Sequence, residues 1–443
     1  MNFKKILKGA AVLTTSAFLV ACGNGGGQSN SGADGDKVEI TFWHSMGGST
    51  GEALDKIVQD YNESQDEVVV NAQYQREYDD ALTKLRSSAS GSNVGADIVQ
   101  VFEQGTTFMK DSGLAVPVQE YIDETDFDTS VLEPNLLAYY TVDDTLYSMP
   151  FNSSTPIMYY NKDMFAEAGI DEAPTSLEEI KEIAPKLEDA GADMAMSLGV
   201  YGWYIEQFIT KQEELMYDNN NGRDGQANSV VFDDNGSMEK TLGAWKDLQD
   251  EGVAPMVGRE GGQPEFVSGS SAITVGSTAN LRQILDEVDG RFEVGTAYFP
   301  GVTSDDQGGV SIGGASLWMI DSEDDARKDA TWDFIQYLVS PDVQAQWNRD
   351  TGYFPVNTGA HDTDVFKQNI EEFPQFETAI NQLHDSNPED QGALTGVNQE
   401  ARKIYEAELE KLLNDEQSVD EAVKNSVEQV NAALSNYQPA KAE

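Results

Sequence analysis

The side chains that most often carry enzyme chemistry are sparse or badly spaced in this sequence. Its three histidines, His44, His361 and His384, lie outside any HExxH pattern, and no GxSxG pattern occurs. Those spacings place two zinc ligands on one helix face or a serine nucleophile on a sharp turn. With 78 Asp and Glu residues, a carboxylate pair suited to glycoside cleavage could be drawn almost anywhere, so such a pair is uninformative.

The sequence has no patterned metal site either. Cys22 is the only cysteine, so neither a disulfide within the chain nor a cysteine cluster is possible. The run 218–222 begins like a calcium loop, but its glycine stands at the fifth place, whereas an EF-hand requires glycine at the sixth. We therefore predict that the chain is not an enzyme and holds no cofactor and no metal.

Seven short segments instead combine aromatic rings, hydroxyls and glycines. Rings can pack against C–H faces while hydroxyls and exposed backbone N–H groups give directional hydrogen bonds, which suits a small polyhydroxylated ligand. By their patterns these segments fall at strand ends and in loops. They are FWHSM (42–46), REY (76–78), FEQGT (102–106), PFNSSTP (150–156), YGW (201–203), GGASLW (313–318) and TGYFPV (351–356).

The elements that would hold these segments alternate along the chain. Val38, Ile40 and Phe42 alternate with polar residues, as in a half-buried strand, and residues 54–61 have apolar side chains at helical spacing. Residues 68–74 favour a second strand, 78–85 a helix and 98–101 a third strand. Such alternation predicts an α/β fold with helices on the faces of a sheet.

Length and charge limit the possible partners. The chain has 443 residues, enough for two or three domains, and a formal net charge of −50. Its hydrophobic fraction of 39% is too high for a disordered acidic protein. A carboxylate surplus repels phosphate backbones, so nucleic acid is excluded as a likely class of partner.

The N-terminus has the pattern of a targeting segment. Lys4, Lys5 and Lys8 precede an apolar stretch, 9–20, that is too short to remain as a membrane helix. The stretch ends in LVAC at 19–22, which resembles a bacterial lipoprotein signal. The resemblance implies a signal peptide at 1–21, a lipid on Cys22 and a flexible polar tether at 22–36, so that the lipid alone anchors the protein outside the cytoplasmic membrane. The alternative is an ordinary signal peptide with an incidental cysteine.

Taken together, the seven segments resemble the family 1 extracellular solute-binding proteins of ABC importers, over residues 38 to 435. FWHSM, PFNSSTP with YYNKD (159–163), GGASLW and TGYFP are the most specific words. The resemblance implies a two-lobed, maltose-binding-protein-like fold, with discontinuous lobes joined at a hinge around a central cleft. It implies a first lobe from 37–151 and 309–354, a second lobe from 152–308 and 355–443, and a monomer that serves ABC permease subunits.

The resemblance is strongest to the branch of this family that binds glycerol 3-phosphate, and it implies a set of ligand contacts. Arg402, Ser154, Ser277, Tyr353 and the Gly314 N–H would bind phosphate oxygens. Glu103 would accept from glycerol hydroxyls, with Tyr78 and Trp203 forming the wall of that end.

Several of these assignments have alternatives. Arg402 lies on a predicted helix near Glu400, Glu406 and Glu408, so it could form a surface ion pair. Glu103 could be a helix-capping carboxylate. The chain is about three residues shorter than the family pattern near Ser277, so Gly276 or Thr278 could take its place.

The identity of the ligand depends on a departure from the family pattern. Val200 stands where the branch has the first of two tryptophans, and a smaller side chain would admit a glycerophosphodiester such as glycerophosphocholine. A sugar or oligosaccharide ligand is the alternative within the same family. An extracellular glycosidase, or an adhesin, is the alternative from another class.

Overall fold

The computed structural model describes residues 37–88, 94–388 and 392–439. The signal peptide, Cys22 and the tether, predicted for 1–36, lie outside these residues. Within the described part, no helix is long and apolar enough to span a bilayer.

The strands and helices alternate through most of the chain. The strands are β1 (Val38–His44), β2 (Val68–Tyr74), β3 (Ile98–Phe102), β4 (Ala115–Val116), β5 (Thr141–Val142), β6 (Thr145–Leu146), β7 (Met149–Ser154), β8 (Pro156–Asn161), β9 (Met194–Ser197), β10 (Ser271–Ser277), β11 (Val294–Tyr298) and β12 (Gly313–Ile320). The helices are α1 (Gly48–Ser64), α2 (Tyr78–Ser88), α3 (Thr106–Ser112), α4 (Val118–Thr125), α5 (Pro134–Tyr140), α6 (Lys162–Glu167), α7 (Leu177–Asp189), α8 (Gly202–Lys211), α9 (Asp218–Gly222), α10 (Ser237–Asp250), α11 (Gln263–Ser268), α12 (Leu281–Val288), α13 (Asp325–Leu338), α14 (Pro341–Thr351), α15 (Asp364–Glu372), α16 (Gln375–Asp385), α17 (Asn398–Leu413) and α18 (Val419–Asn436).

Two main sheets organise the molecule. The first has the order β2-β1-β3-β12-β4, with β7 also pairing with β12, and the second has the order β11-β8-β10-β9. Strands β1, β2 and β3 are parallel, whereas β12 runs antiparallel to β3. We call the first sheet with its helices the first lobe and the second sheet with its helices the second lobe.

The chain passes between the sheets at Thr155, because β7 belongs to the first sheet and β8 to the second. Two prolines flank this passage. Pro150 lies on β7, which among the described strands pairs only with β12, and Pro156 is the first residue of β8. Both are places where a missing N–H is tolerated in a sheet. The Thr278 N–H donates to the Thr155 carbonyl at 2.9 Å, which holds the passage against the end of β10.

Each lobe has its own core. Helices α1, α13 and α14 cover the first sheet, and Trp347 and Phe334 are fully buried among them. Helices α7, α8, α10, α17 and α18 cover the second sheet around Phe208 and Trp245. Two separate cores joined by thin passages allow the lobes to move as bodies, as in hinge closure.

The segment after Phe354 packs differently from the expected division, in which the second lobe resumes at 355. Val356 and Leu383 are buried in the core of the first lobe. Phe376 packs with Val294 of the second sheet, so α15 and α16 lie against both lobes. Val397 belongs to the core of the second lobe. We propose that the chain returns to the second lobe between Leu383 and Val397, later than the expected boundary at 354.

Candidate functional site

Arg402 lies at the junction of the two lobes. It is 5% exposed, and it projects from α17 of the second lobe. Its Nε and Nη2 donate to the two carboxylate oxygens of Glu206 at 2.7 Å each, and its Nη1 donates to Glu103 Oε1 at 2.7 Å. Glu206 is on α8 of the second lobe, whereas Glu103 follows β3 of the first lobe. A buried ion triad therefore joins the lobes.

This triad decides between the alternatives for Arg402. A surface ion pair would join Arg402 to Glu400, Glu406 or Glu408, but its partners are Glu103 and Glu206, and it is buried. The alternative of a surface ion pair is therefore wrong.

Burial governs the charges of the triad. Burial raises the pKa of Glu103 to about 7, although the Arg402 guanidinium opposes the shift. Burial also acts to lower the pKa of Arg402, but the Glu206 and Glu103 carboxylates outweigh it and hold that pKa well above its ordinary value. The guanidinium is therefore charged, while burial favours the protonated form of Glu103 more than in an ordinary carboxylate.

A chain of hydrogen bonds lies on the first-lobe side of the site. The Ser45 N–H donates to Gln100 Oε1 at 2.8 Å, and Gln100 Nε2 donates to Asn152 Oδ1 at 2.7 Å. Asn152 Nδ2 donates to the Tyr78 hydroxyl at 2.8 Å. Burial and, after it, the neighbouring Tyr353 raise the pKa of Tyr78, so the two phenols lie near each other. The negative charge of Glu103 contributes to raising the pKa of both tyrosines, after burial, so Glu103 is electrostatically close to them.

Gly314 has a backbone conformation that requires glycine. Its φ is +85°, and a Cβ there would lie 2.1 Å from the Asn152 carbonyl oxygen on the neighbouring strand. In the pairing of β7 with β12, Gly314 is opposite Ser153 and Gly313 is opposite Ser154. Glycine is therefore required at 314 for the close approach to Asn152.

Trp203 closes the site from the second lobe. A Cβ on Gly313 would lie 2.7 Å from Trp203 Cζ2, and a Cβ on Gly202 would lie 3.0 Å from the Arg402 Cβ. Two buried polar atoms at the site have no hydrogen-bond partner in another described residue. They are the indole Nε1 of Trp203 and Oε2 of Glu103. Unsatisfied buried polar atoms of this kind require an explanation, and a bound ligand is one.

These contacts link neighbouring residues that we call the ring. Arg402 is hydrogen-bonded to Glu103, and Tyr78 lies near Tyr353. The Asn152 carbonyl lies against Gly314, the adjacent Gly313 lies against Trp203, and Gly202 lies against Arg402. The structure thus brings together seven of the eight residues expected to bind the ligand: Tyr78, Glu103, Ser154, Trp203, Gly314, Tyr353 and Arg402.

Ser277 stands somewhat apart from the ring. It ends β10 opposite Pro156, and its hydroxyl accepts from the Ala279 N–H at 3.2 Å, as the cap of a short 3₁₀ turn. The alternative residue Thr278 contacts Thr155 at the passage between the lobes. A role for Ser277 at the ligand remains a prediction.

Sequence reasoning missed several residues of the site. Glu206 is three residues after Trp203 on α8, a spacing that places both on one helix face, and this signal could have identified it. Gln100 and Asn152 lie inside strands as buried polar residues, which no sequence pattern distinguished. Val200, expected to leave space beside the ligand, is buried in the core of the second lobe.

In the part of the chain that the structure covers, no cluster of His, Cys, Asp or Glu is suited to a metal ion.

Comparisons with known proteins point in one direction. Residues 56–375 match the family model described as bacterial extracellular solute-binding protein. The sn-glycerol-3-phosphate-binding periplasmic protein UgpB of Yersinia pseudotuberculosis is 32% identical over 414 residues, which cover 91% of this chain and 94% of that protein. The UgpB of Escherichia coli K12 is 30% identical over 409 residues, with coverages of 90% and 93%.

Solved structures share the fold. The GacH receptor of Streptomyces glaucescens has a TM-score of 0.75 at 20% identity and covers 91% of this chain and 100% of its own. UgpB of Mycobacterium tuberculosis, crystallised with glycerophosphocholine, has a TM-score of 0.75 at 23% identity, with coverages of 90% and 98%. The expected two-lobed α/β fold, like that of maltose-binding proteins, is confirmed.

Proposed function

The chain belongs to the bacterial extracellular solute-binding proteins, and on this premise we propose that it captures glycerol 3-phosphate or a glycerophosphodiester such as glycerophosphocholine for an ABC permease. The observation that carries the proposal is the buried Arg402 at the junction of the lobes, bonded to Glu103, whose Oε2 has no hydrogen-bond partner in another described residue. The relatives that are 30–32% identical over 90–91% of the chain are named for glycerol 3-phosphate, which supports a phosphate ester as ligand.

The residues of the ring form two groups, which suit the two ends of the proposed ligand. Arg402 offers a charge-assisted hydrogen bond to a phosphate oxygen, and the hydroxyls of Tyr353 and Ser154 and the Gly314 N–H are further donors. The free Oε2 of Glu103 suits a glycerol hydroxyl, beside the rings of Tyr78 and Trp203. These side chains come from both lobes, so the full set of contacts exists only when the cleft is closed.

The proposed mechanism follows from this division. A ligand that binds the closed form better than the open form shifts the population toward closure, and the permease recognises the closed shape. No covalent step is needed, so we propose binding without catalysis. Incubation with glycerophosphodiesters and oligosaccharides, followed by product analysis, tests this proposal. Turnover of either substrate would favour the alternative that the protein is a glycosidase or another enzyme.

Calorimetric titration of the mature protein tests the ligand. The panel is glycerol 3-phosphate, glycerophosphocholine, maltose and inorganic phosphate. We expect binding of one or both phosphate esters, and at least about a hundredfold loss of affinity in Arg402→Ala, because a charge-assisted contact is removed and two carboxylates are left buried. Binding of maltose alone would favour the sugar alternative.

Arg327→Ala is the matched control for Arg402→Ala. Arg327 forms the same two-bond fork with a buried carboxylate, donating to Asp97 at 2.7 and 2.6 Å, but it lies at the far end of the first sheet. It should lower stability without weakening ligand binding. Equal affinities of the Arg402→Ala protein and the wild type would contradict the phosphate-ester proposal.

We further propose that the protein is a monomer held at the outer face of the cytoplasmic membrane by a lipid on Cys22. The carboxylate-rich chain itself would not bind anionic lipid, so the anchor alone would retain it. Cys22→Ser should release the protein from the membrane fraction and abolish incorporation of labelled fatty acid. Retention of the Cys22→Ser protein on membranes would contradict lipid anchoring.

A further inference from the structure

The charges at the junction of the lobes do not balance once an anion enters. Arg402 supplies one positive charge, and two carboxylates, Glu103 and Glu206, are hydrogen-bonded to it at 2.7 Å. Arg402 is 5% exposed and Glu103 is 4% exposed. A phosphate ester would be a third anion beside one guanidinium. Like charges that share a buried place cannot all remain ionised, so one of the three anions has to take a proton.

Glu103 is the member of the triad best placed to take this proton. Glu206 accepts from Arg402 with both of its oxygens. Glu103 accepts from Arg402 with Oε1 alone, and its buried Oε2 has no partner in another described residue. A buried carboxylate oxygen without a donor is costly, and a proton on that oxygen removes the charge and turns the oxygen into a donor.

The other titratable groups around Glu103 are already protonated or paired. The Tyr139 hydroxyl donates to the Glu103 carbonyl at 3.1 Å. Burial raises the pKa of the phenols that the charge of Glu103 reaches, so they stay protonated near neutral pH: Tyr78, Tyr139, Tyr140, Tyr201 and Tyr353. Charged side chains on the neighbouring elements bond to other residues: Lys110 to Asp111, Lys403 to Asp79, Glu406 to Arg259 and the Gly202 N–H, and Arg223 to the Tyr139 carbonyl.

We propose that capture of the phosphate ester is coupled to the uptake of a proton, which passes from water or buffer to Glu103. This inference rests on the proposed function and adds a regulation of the same site, because affinity then falls as the medium becomes more alkaline. Only an O–H bond forms on Glu103. The protonated carboxyl keeps one oxygen as an acceptor for a glycerol hydroxyl and gains one O–H donor.

The pKa of Glu103 sets the pH window of the coupling. Burial raises this pKa to about 7, and a neighbouring phosphate would raise it further. Capture should therefore take up about half a proton at pH 7 and nearly one at about pH 8. Above pH 7 the affinity should fall by up to about tenfold per pH unit, whereas below about pH 6 Glu103 is protonated before the ligand binds and the affinity should level off.

Titration calorimetry of the mature protein with glycerophosphocholine measures the coupling. The phosphate of a diester exchanges no proton near neutral pH, so any exchange belongs to the protein. HEPES, imidazole and Tris differ in their ionisation enthalpies, and the slope of the observed binding enthalpy against the ionisation enthalpy gives the number of protons taken up. We expect about 0.5 at pH 7 and more at about pH 8 in the wild type, and none in Glu103→Gln. If only glycerol 3-phosphate binds, it is titrated at about pH 8, where its phosphate is ionised.

Glu133→Gln is the matched control. Glu133 is also buried, and burial raises its pKa, but it precedes α5 and pairs with His384 at 3.1 Å. The loss of this carboxylate should leave the number of protons unchanged. A second measurement needs no variant: difference infrared spectroscopy of the wild type should show the C=O band of a protonated carboxyl when the ligand is added.

The outcomes separate this inference from the proposed function. No proton uptake by the wild type at pH 7 and 8, or no new carboxyl band, would overturn the inference alone. Unchanged uptake in Glu103→Gln would also overturn it and would assign the exchange to another group, such as His44 or Glu133. A wild-type protein that binds neither phosphate ester would overturn the proposed function itself.

Discussion

Gly313→Ala should act as a wedge between the lobes. The added Cβ would lie 2.7 Å from Trp203 Cζ2 and 3.2 and 3.3 Å from two further indole atoms. Carbon atoms in contact are normally about 3.5 Å or more apart, so the gap must widen by about 0.8 Å. Overpacking of this kind costs about 1–3 kcal/mol.

The cost should fall on the closed form, because Gly313 belongs to the first sheet and Trp203 to α8 of the second lobe. A penalty of about 1–3 kcal/mol on closure lowers the apparent affinity about five- to 150-fold. The unliganded protein can open slightly and avoid the contact, so its melting temperature should hardly change.

Three measurements check the expected effect of Gly313→Ala: titration calorimetry with glycerophosphocholine, small-angle scattering with and without ligand, and thermal melting. The control is Gly243→Ala on α10, where nothing lies within 4 Å of the added Cβ. That change should leave affinity unaltered and raise stability by about 0.5–1 kcal/mol, the usual gain inside a helix. The reasoning would be refuted if Gly313→Ala bound the ligand with wild-type affinity. It would also be refuted if the free energy of unfolding of the unliganded variant fell by as much as its free energy of ligand binding.

Three further results are expected. Burial raises the pKa of Glu103 from 4.5 to about 7, so between these values the folded protein binds more protons than the unfolded one and its stability falls as pH rises, by about 3 kcal/mol in total. Melting curves at pH 5 and pH 8 should therefore show a smaller decline for Glu103→Gln than for the wild type, and equal declines would contradict this. With a net charge of −50, affinity for glycerol 3-phosphate should rise as salt increases from about 0.01 to 0.15 M, because the Debye length shrinks from about 30 to 8 Å; a flat or falling calorimetric curve speaks against an anionic ligand. Gly314→Ala should destabilise the protein by more than about 3 kcal/mol in denaturant titration, since its Cβ meets a backbone oxygen at 2.1 Å, whereas Gly169→Ala, at φ +65° with open space, should lose only about 1–2 kcal/mol; similar losses would show that the clash is relieved.

The sequence predicted the local elements well where the hydrophobic period was strong. The second strand spans 68–74 as expected, and the apolar residues at 54, 57, 58 and 61 lie on one buried face of α1. The lobe to which the segment after Phe354 belongs was harder to predict. Residues of 356–383 are buried against both lobes, and their hydrophobic pattern does not indicate which sheet they cover. Periodicity reports which face is buried, but not against which partner.

The site shows the same division between local and distant information. The segments GGASLW, which lies in β12, and TGYFP indicated Gly314 and Tyr353 through their resemblance to the family, because such a resemblance depends on a few neighbouring residues. The partners of Arg402 were not predictable, since Glu206 and Glu103 lie 196 and 299 residues away along the chain. Their meeting depends on the relative placement of two lobes, which no single segment encodes.

The contacts of Arg402 with Glu206 and Glu103 also indicate which of the two carboxylates a bound phosphate would replace beside the guanidinium. Glu206 holds Arg402 with two hydrogen bonds and comes from the same lobe, so it moves with Arg402 when the hinge opens. Glu103 holds it with one bond across the lobes, and burial makes the charged form of Glu103 costly, which raises its pKa to about 7. A phosphate oxygen that takes the Nη1 of Arg402 would thus displace Glu103 rather than Glu206. Glu103 would then be free to accept from the glycerol hydroxyls, and Glu206 would keep the guanidinium aimed at the ligand.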